Sequence, residues 1–189
     1  MSDDGRRHES LPDPDPEWSV RESATEYETG WYTGGYDLVE QPNGTTKRYY
    51  WAELATAVVV VAVEDGSLVC VEQYRPTIRT RQLELPAGIV EAGESYTAAA
   101  ARELREETGF AADSTALLET VWCATGVLRH QRGYVFATDL RPVEQDLDDN
   151  EFLSVRSLPV EEALDAVRSG TPNDATLEGL LLAREEGLI

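Results

Sequence analysis

Gly88-Ile89-Val90-Glu91-Ala92-Gly93-Glu94, then seven residues, then Arg102-Glu103-Leu104-Arg105-Glu106-Glu107-Thr108-Gly109-Phe110, is the stretch from which the rest of the chain is read. Its second half predicts a helix from Ser95 to Glu107. Ser95 or Thr97 can serve as N-cap, Ala98 to Ala101 has high helix propensity, and Gly109 falls where a glycine ends a helix. At about 100° per residue, Glu103, Glu106 and Glu107 share one arc while Ala100, Ala101 and Leu104 point toward a core.

Three glutamates on one face in the last turns of a helix are electrostatically poor. Like charges repel at a spacing of four, and acids oppose the negative end of the helix dipole. A generic acidic helix simply turns such a face to water. A divalent cation removes both penalties, and hard ions such as Mg²⁺ or Mn²⁺ take oxygen ligands and bridge a few carboxylates to phosphate groups. Glu94, one turn before the helix, offers a further carboxylate.

At these residues the chain resembles the Nudix hydrolase family, whose box of glycine, glutamate and Arg-Glu-apolar-x-Glu-Glu-x-Gly-apolar is matched from Gly88 to Phe110. The likeness is looser from Gly30 to Ala183. It implies an α/β fold, the Nudix α/β/α sandwich around a mixed sheet. It also implies hydrolysis, with Mg²⁺ or Mn²⁺, of a nucleoside diphosphate linked to another moiety. Under that resemblance Glu94, Glu103 and Glu107 are metal ligands and Glu106 a further carboxylate of the catalytic group. Arg102 reads as the side chain that orients Glu94 or a neighbouring acid.

A net charge of −20 argues against non-specific binding of nucleic acid or anionic membranes, both of which need a basic surface. Lys47 is the only lysine, so nearly all positive charge is arginine. That bias resembles proteins of salt-accumulating halophiles, where molar salt shortens the Debye length to about 3 Å and self-repulsion is tolerated. Cys70 and Cys123 show no C-x-x-C spacing, so buried thiols are expected rather than a zinc site or disulfide framework. The longest apolar run, Ala55 to Val63, is too short to span a bilayer, and no signal-like segment is seen; a cytoplasmic protein is expected.

The length fits one domain with extra pieces. Residues 1–20 read as a disordered or loosely attached tail, with Pro12, Pro14 and Pro16 alternating with acids. Residues 21–54 read as an N-terminal β arm, with strands at Trp31 to Val39 and Thr45 to Leu54 joined through Asn43-Gly44. Residues 55–189 read as the hydrolase domain. Ala57 to Val63 and Ser67 to Gln73 should be central strands around Glu64-Asp65-Gly66. Further strands are expected at Leu117 to Cys123, Gly133 to Ala137 and Phe152 to Val155, and helices at Val160 to Ser169 and Asn173 to Glu186.

The runs Glu72-Gln73-Tyr74-Arg75 and Glu84-Leu85-Pro86-Ala87-Gly88 resemble the branch of the family that cleaves ADP-ribose and related nucleotide sugars. That resemblance implies that Arg75 reaches substrate phosphates, for which a guanidinium fork is suited. It also implies that the carbonyl of Ala87 ligates metal, with Pro86 and Gly88 shaping a tight turn there. In the acidic loop, Asp149-Asn150-Glu151 looks similar to the branch pattern, giving Glu151 to the metal and Asp149 to water activation. The bland alternative is a solvated loop in an acidic chain. Trp31, Tyr32 and Tyr36 crowd the arm, and by resemblance Trp31 and Tyr32, with Arg48, bind substrate, the aromatics by stacking on adenine, often across a homodimer interface. Plain strand packing is the alternative. His130 reads as exposed-loop material. The chain departs from the branch at Ala124-Thr125-Gly126, where a proline is usual, and at Arg129 and His130, where an acid is frequent. Other diphosphate substrates (NADH, a dinucleoside polyphosphate, a nucleoside triphosphate) or a non-catalytic ADP-ribose sensor therefore stand as rivals.

Overall fold

Val58, Val60 and Ala62 lie on one face of the strand Ala57–Glu64 and Val59 and Val61 on the other, and all five are shut off from water. A strand of this kind needs cover on both sides. The computed structural model describes Leu11, Asp13 and residues 15–148 and 150–189. Its strands are β1 (Ser19–Glu28), β2 (Tyr32–Glu40), β3 (Thr46–Leu54), β4 (Ala57–Glu64), β5 (Ser67–Arg75), β6 (Thr80–Glu84), β7 (Ala87–Ile89), β8 (Phe110–Trp122), β9 (Leu128–Arg129), β10 (Gln131–Pro142) and β11 (Leu153–Pro159). Its helices are α1 (Tyr96–Thr108), α2 (Val160–Arg168) and α3 (Asp174–Glu185).

Two compact units form. The larger holds Ala57–Thr120 and Gly133–Ile189. Its sheet runs β11-β5-β4-β10-β8, with β6 added to β5 and β7 added to β4, so β4 and β5 are central as expected. Asp65 and Gly66, both at positive φ, make the turn between them. On one face Ala99, Ala100 and Leu104 of α1 join Val58, Val60, Ala62, Val135 and Ala137 in a single apolar cluster. On the other face Gly179 of α3 lies so close that a Cβ there would come within 2.7 Å of Leu85 and 3.4 Å of Val61. Since Val60 and Val61 point oppositely, α1 and α3 cover opposite faces, which is the α/β/α arrangement the box implied.

The second unit runs up to Thr56 and takes in Val121–Arg132. Its sheet is mixed: β1-β2-β3 are antiparallel and β9 joins β3 in parallel. Gly44 at φ +79° turns the β2–β3 hairpin where Asn43-Gly44 predicted it, and Asn43 Oδ1 accepts from the Thr45 amide at 3.0 Å.

Several expectations need correction. Strand β1 was not foreseen, because it is an edge strand with scarcely a buried side chain and two register shifts against β2. β8 begins at Phe110, directly after the helix, rather than at Leu117. Ala101 is half-buried rather than in the core. His130 is buried at 8 % exposure, not loop surface, and its carbonyl accepts from the Cys123 amide at 3.0 Å. Cys70 and Cys123 are buried free thiols as expected, and burial pushes Cys70 up to about 12.

Candidate active site

Ser95 caps α1 by accepting from the Ala98 amide at 3.2 Å, and Gly109 closes it at φ 71°. The helix thereby holds its acid side against β7, and that side does not face water: Glu103 is 8 % and Glu107 4 % exposed. Gly88 explains how they fit. Its φ is not positive, so it is not the turn residue that the Pro86-to-Gly88 reading required; a Cβ at Gly88 would instead stand 2.0 Å from the Glu103 carboxyl carbon. Only a residue without a side chain leaves room for that carboxylate. One residue earlier, the Ala87 amide donates to Glu107 Oε2 at 3.0 Å.

Arg102 is the hub. Its Nε and Nη2 reach Glu94 at 3.1 and 3.0 Å, Nη1 reaches Glu103 at 2.8 Å and Glu106 at 3.2 Å, and Nη2 also donates to the Ile89 carbonyl at 2.8 Å. Glu106 receives a second bond from Arg105 at 2.7 Å. The acids are brought together by a guanidinium that the sequence had placed beside only one of them.

The electrostatics follow from this packing. Arg102 holds the Glu94 carboxyl below the usual range. Burial raises Glu103, with Arg102 opposing and Glu106 and Glu151 adding repulsion. Burial pushes Glu107 up to about 8, with the Ala87 amide and Arg75 pulling against it and Glu103 and Glu151 reinforcing it. Glu151 thus acts on both buried acids from the loop before β11, where its carboxylate accepts from the Asp148 amide at 3.0 Å. That loop is tied to the end of α1: the Asp146 amide donates to the Glu106 carbonyl at 3.1 Å and Gln145 Nε2 to the Glu107 carbonyl at 2.5 Å. Asp149, assigned to water activation, lies outside the described residues.

Arg75 is held by Glu84, with Nη2 to Oε2 at 2.6 Å. In the smaller unit, Trp31 is 78 % and Tyr32 37 % exposed, whereas Tyr36 is buried under the Arg48 guanidinium, 4.4 Å from its ring centre. Arg129 packs 4.1 Å over the Trp51 ring and pairs with Asp37 at 2.5 Å, a structural duty in place of the acid usual in the branch.

Glu103, Glu107 and Glu94 suit a hard divalent cation. They are oxygen donors, two of them buried with their mutual repulsion incompletely answered, and Gly88 leaves the room that the Glu103 carboxylate occupies. Among the described residues no three acids stand in ready-made ligand geometry, since Arg102 is interposed among Glu94, Glu103 and Glu106. Sequence reasoning passed over two polar contributors, Glu84 and Gln145. Glu84 lay within a quoted run, but nothing in spacing reveals that its carboxylate is buried; Gln145 carries no signal at all.

An α/β/α sandwich with an acid-bearing helix laid against a glycine strand defines a class, and the comparisons give it a name. Residues 53–177 match the NUDIX domain, and the chain belongs to the Nudix hydrolase family. It is 34 % identical over 140 residues to the ADP-ribose pyrophosphatase of Bacillus subtilis, covering 72 % of this chain and 76 % of that one. It is 33 % identical over 135 residues to the methanol dehydrogenase activator of Bacillus methanolicus, covering 70 % and 73 %. Its fold superposes on a crystal structure of an ADP compounds hydrolase with a TM-score of 0.83 at 24 % identity, covering 94 % of this chain and all of that one.

Proposed function

We propose that this Nudix hydrolase cleaves the diphosphate linkage of ADP-ribose or a related nucleotide sugar, with Mg²⁺ or Mn²⁺ held by Glu94, Glu103, Glu107, Glu151 and the Ala87 carbonyl. The observation that carries the reading is the pair of buried carboxylates, Glu103 against Gly88 and Glu107 bonded by the Ala87 amide, with Glu103 linked to Glu94 and Glu106 through Arg102. A bound divalent ion supplies an acidified water and neutralises charge on the phosphates. The residues do the rest. Arg75 grips phosphate oxygens, Arg102 aims Glu94 and Glu103 and favours their charged forms, and Asp149 takes the proton from the attacking water. Water adds to one phosphorus as its bond to the bridging oxygen breaks, giving two monophosphates, AMP and ribose 5-phosphate from ADP-ribose.

The relative named for ADP-ribose supports the choice of substrate. The exposed Trp31 and Tyr32 suit adenine stacking, and the arm's aromatic face suits a homodimer. No helix among the described residues is long and apolar enough to cross a membrane; the cytoplasm is the compartment proposed, and the charge of −20 with a single lysine fits work in molar salt. A second reading, another diphosphate such as NADH or a nucleoside triphosphate, is favoured by the departure at Ala124-Thr125-Gly126. A magnesium-dependent panel of ADP-ribose, other nucleotide sugars, NADH and nucleoside triphosphates, with products read by mass, separates the two. AMP and ribose 5-phosphate as the fastest-formed products support the first; inertness toward the whole panel overturns both.

A further inference from the structure

Glu84 ends β6, separated from β7 by Leu85 and Pro86, and its side chain is only 3 % exposed while that of its partner Arg75 is 45 % exposed. Four donor contacts converge on this buried carboxylate besides the short Arg75 Nη2 bond. Arg75 Nε lies 3.1 and 3.0 Å from its two oxygens, Gln73 Nε2 donates at 2.8 Å, and Asn173 Nδ2 donates at 2.8 Å. A buried carboxylate so surrounded is held in place, because any rotation breaks several of its bonds at once. Asn173 is also the N-cap of α3, accepting from the Thr176 amide at 2.7 Å, and the Thr176 hydroxyl takes the amide of Leu85, the next residue, at 3.1 Å. The start of α3 is thereby locked to the strand that leads into Ala87 and Gly88.

We infer that Glu84 is a positioning residue. It holds Arg75 by the Nε/Nη2 edge so that the Nη1/Nη2 edge meets the substrate diphosphate, and Asn173 steadies the carboxylate from α3. The inference rests on Arg75 being the phosphate contact of the proposed function. The charge of Arg75 also acts weakly on Glu107, opposing the rise that burial gives its carboxyl. A guanidinium gripped on one edge by a carboxylate loses little freedom when a phosphate takes the other edge.

The test is a double-mutant cycle read by calorimetric binding of α,β-methylene-ADP, a non-hydrolysable diphosphate, to the full chain in Mg²⁺. Glu84→Gln and Arg75→Ala should each weaken binding about tenfold, the scale of losing an orienting partner or one charged contact. Glu84→Gln added to Arg75→Ala should cost less than threefold more, because the two act as one unit. Turnover of Glu84→Gln should show the loss mainly in KM. Multiplying effects, wild-type binding by Glu84→Gln or by Arg75→Ala, or no binding by the parent protein at millimolar probe would each overturn the inference. Failure of the proposed function itself would be read separately, from the parent protein's products on the substrate panel. Should Glu84→Gln not fold, Asn173→Ser keeps a capping oxygen for Thr176 but loses the donor to Glu84. It should weaken binding about threefold, and wild-type affinity there would count equally against the role.

Discussion

The last turns of α1 and the edge strand β1 each carry three glutamates, Glu103, Glu106 and Glu107 in one and Glu22, Glu26 and Glu28 in the other. In β1 all three face solvent; in α1 two are buried and the third is bonded to two arginines. Composition is the same and chemistry is not. What differs is the opposing surface: α1 is pressed by Ala99, Ala100 and Leu104 onto a sheet whose adjoining strand has a glycine at the point of contact, so burial, not charge alone, shifts the protonation of the α1 acids.

The largest expected effect tests that contrast at its centre. Glu107→Gln should lower turnover about 10²- to 10³-fold, the scale of removing one preorganised charge from a site, whereas Glu26→Gln in β1 should leave it unchanged. Because burial raises the Glu107 carboxyl to about 8, the neutral form is the one the metal-free fold prefers. The glutamine variant should therefore melt no lower than the parent at pH 8 in chelator. Near-normal turnover, or a collapsed fold, would remove Glu107 from the site.

Next comes Gly88→Ala. Its Cβ would fall 2.0 Å from the Glu103 carboxyl carbon, so the carboxylate must move or the strand must shift. Turnover should fall about 10- to 100-fold, as for disturbed ligand support, with a stability loss of about 1–3 kcal/mol from overpacking. Gly30→Ala, whose added Cβ would meet nothing within 4 Å, is the matched control in the arm. Equal activity of the two variants would mean that the close approach has no part in catalysis.

The pH dependence is smaller and has a definite sign. A folded carboxyl raised to about 8 from an ordinary 4.5 contributes stability that is complete below pH 4.5 and is lost as pH rises through 8. The metal-free protein should thus lose thermal stability from pH 5 to pH 8. A cation must displace that proton, so Mg²⁺ affinity should climb with pH over the same window and the added ion should reverse the trend at pH 8. Melting curves with and without Mg²⁺ at pH 5, 6.5 and 8 read both effects. A metal-free protein most stable at pH 8 would contradict the burial of Glu107.

The same contrast accounts for what the chain disclosed before folding. The helix, its Ser95 cap, the Gly109 stop, the Asn43-Gly44 hairpin and the central β4–β5 pair were all legible, because each is a local pattern of propensity or periodicity. Gly88 was legible as special but for the wrong reason, since close approach of the Glu103 side chain, from the helix rather than from a chain neighbour, leaves no mark on spacing. Glu84 and Gln145 were not legible as site supports, because a buried carboxylate and an anchoring amide are defined by their partners. β1 escaped because an exposed, irregularly registered edge strand has no apolar alternation to read. His130 was misjudged because a polar residue between Arg129 and Gln131 gives no hint that packing will enclose it.

The smallest expected effect lies in the arm. Trp31 is 78 % exposed, so removing its ring should change stability by less than about 0.5 kcal/mol, as for an ordinary surface position. If the ring stacks on the substrate base, Trp31→Ala should raise KM about fivefold for an adenine nucleotide, near the lower end of base-stacking energies, and leave kcat within twofold. A substrate series with the base changed makes the test specific, because stacking tolerates any flat base while a hydrogen-bonding role would not. An unchanged KM together with a shift to monomer on size exclusion would give the ring to the dimer contact instead. The acids of α1 would then carry the chemistry without help from the aromatics of the arm.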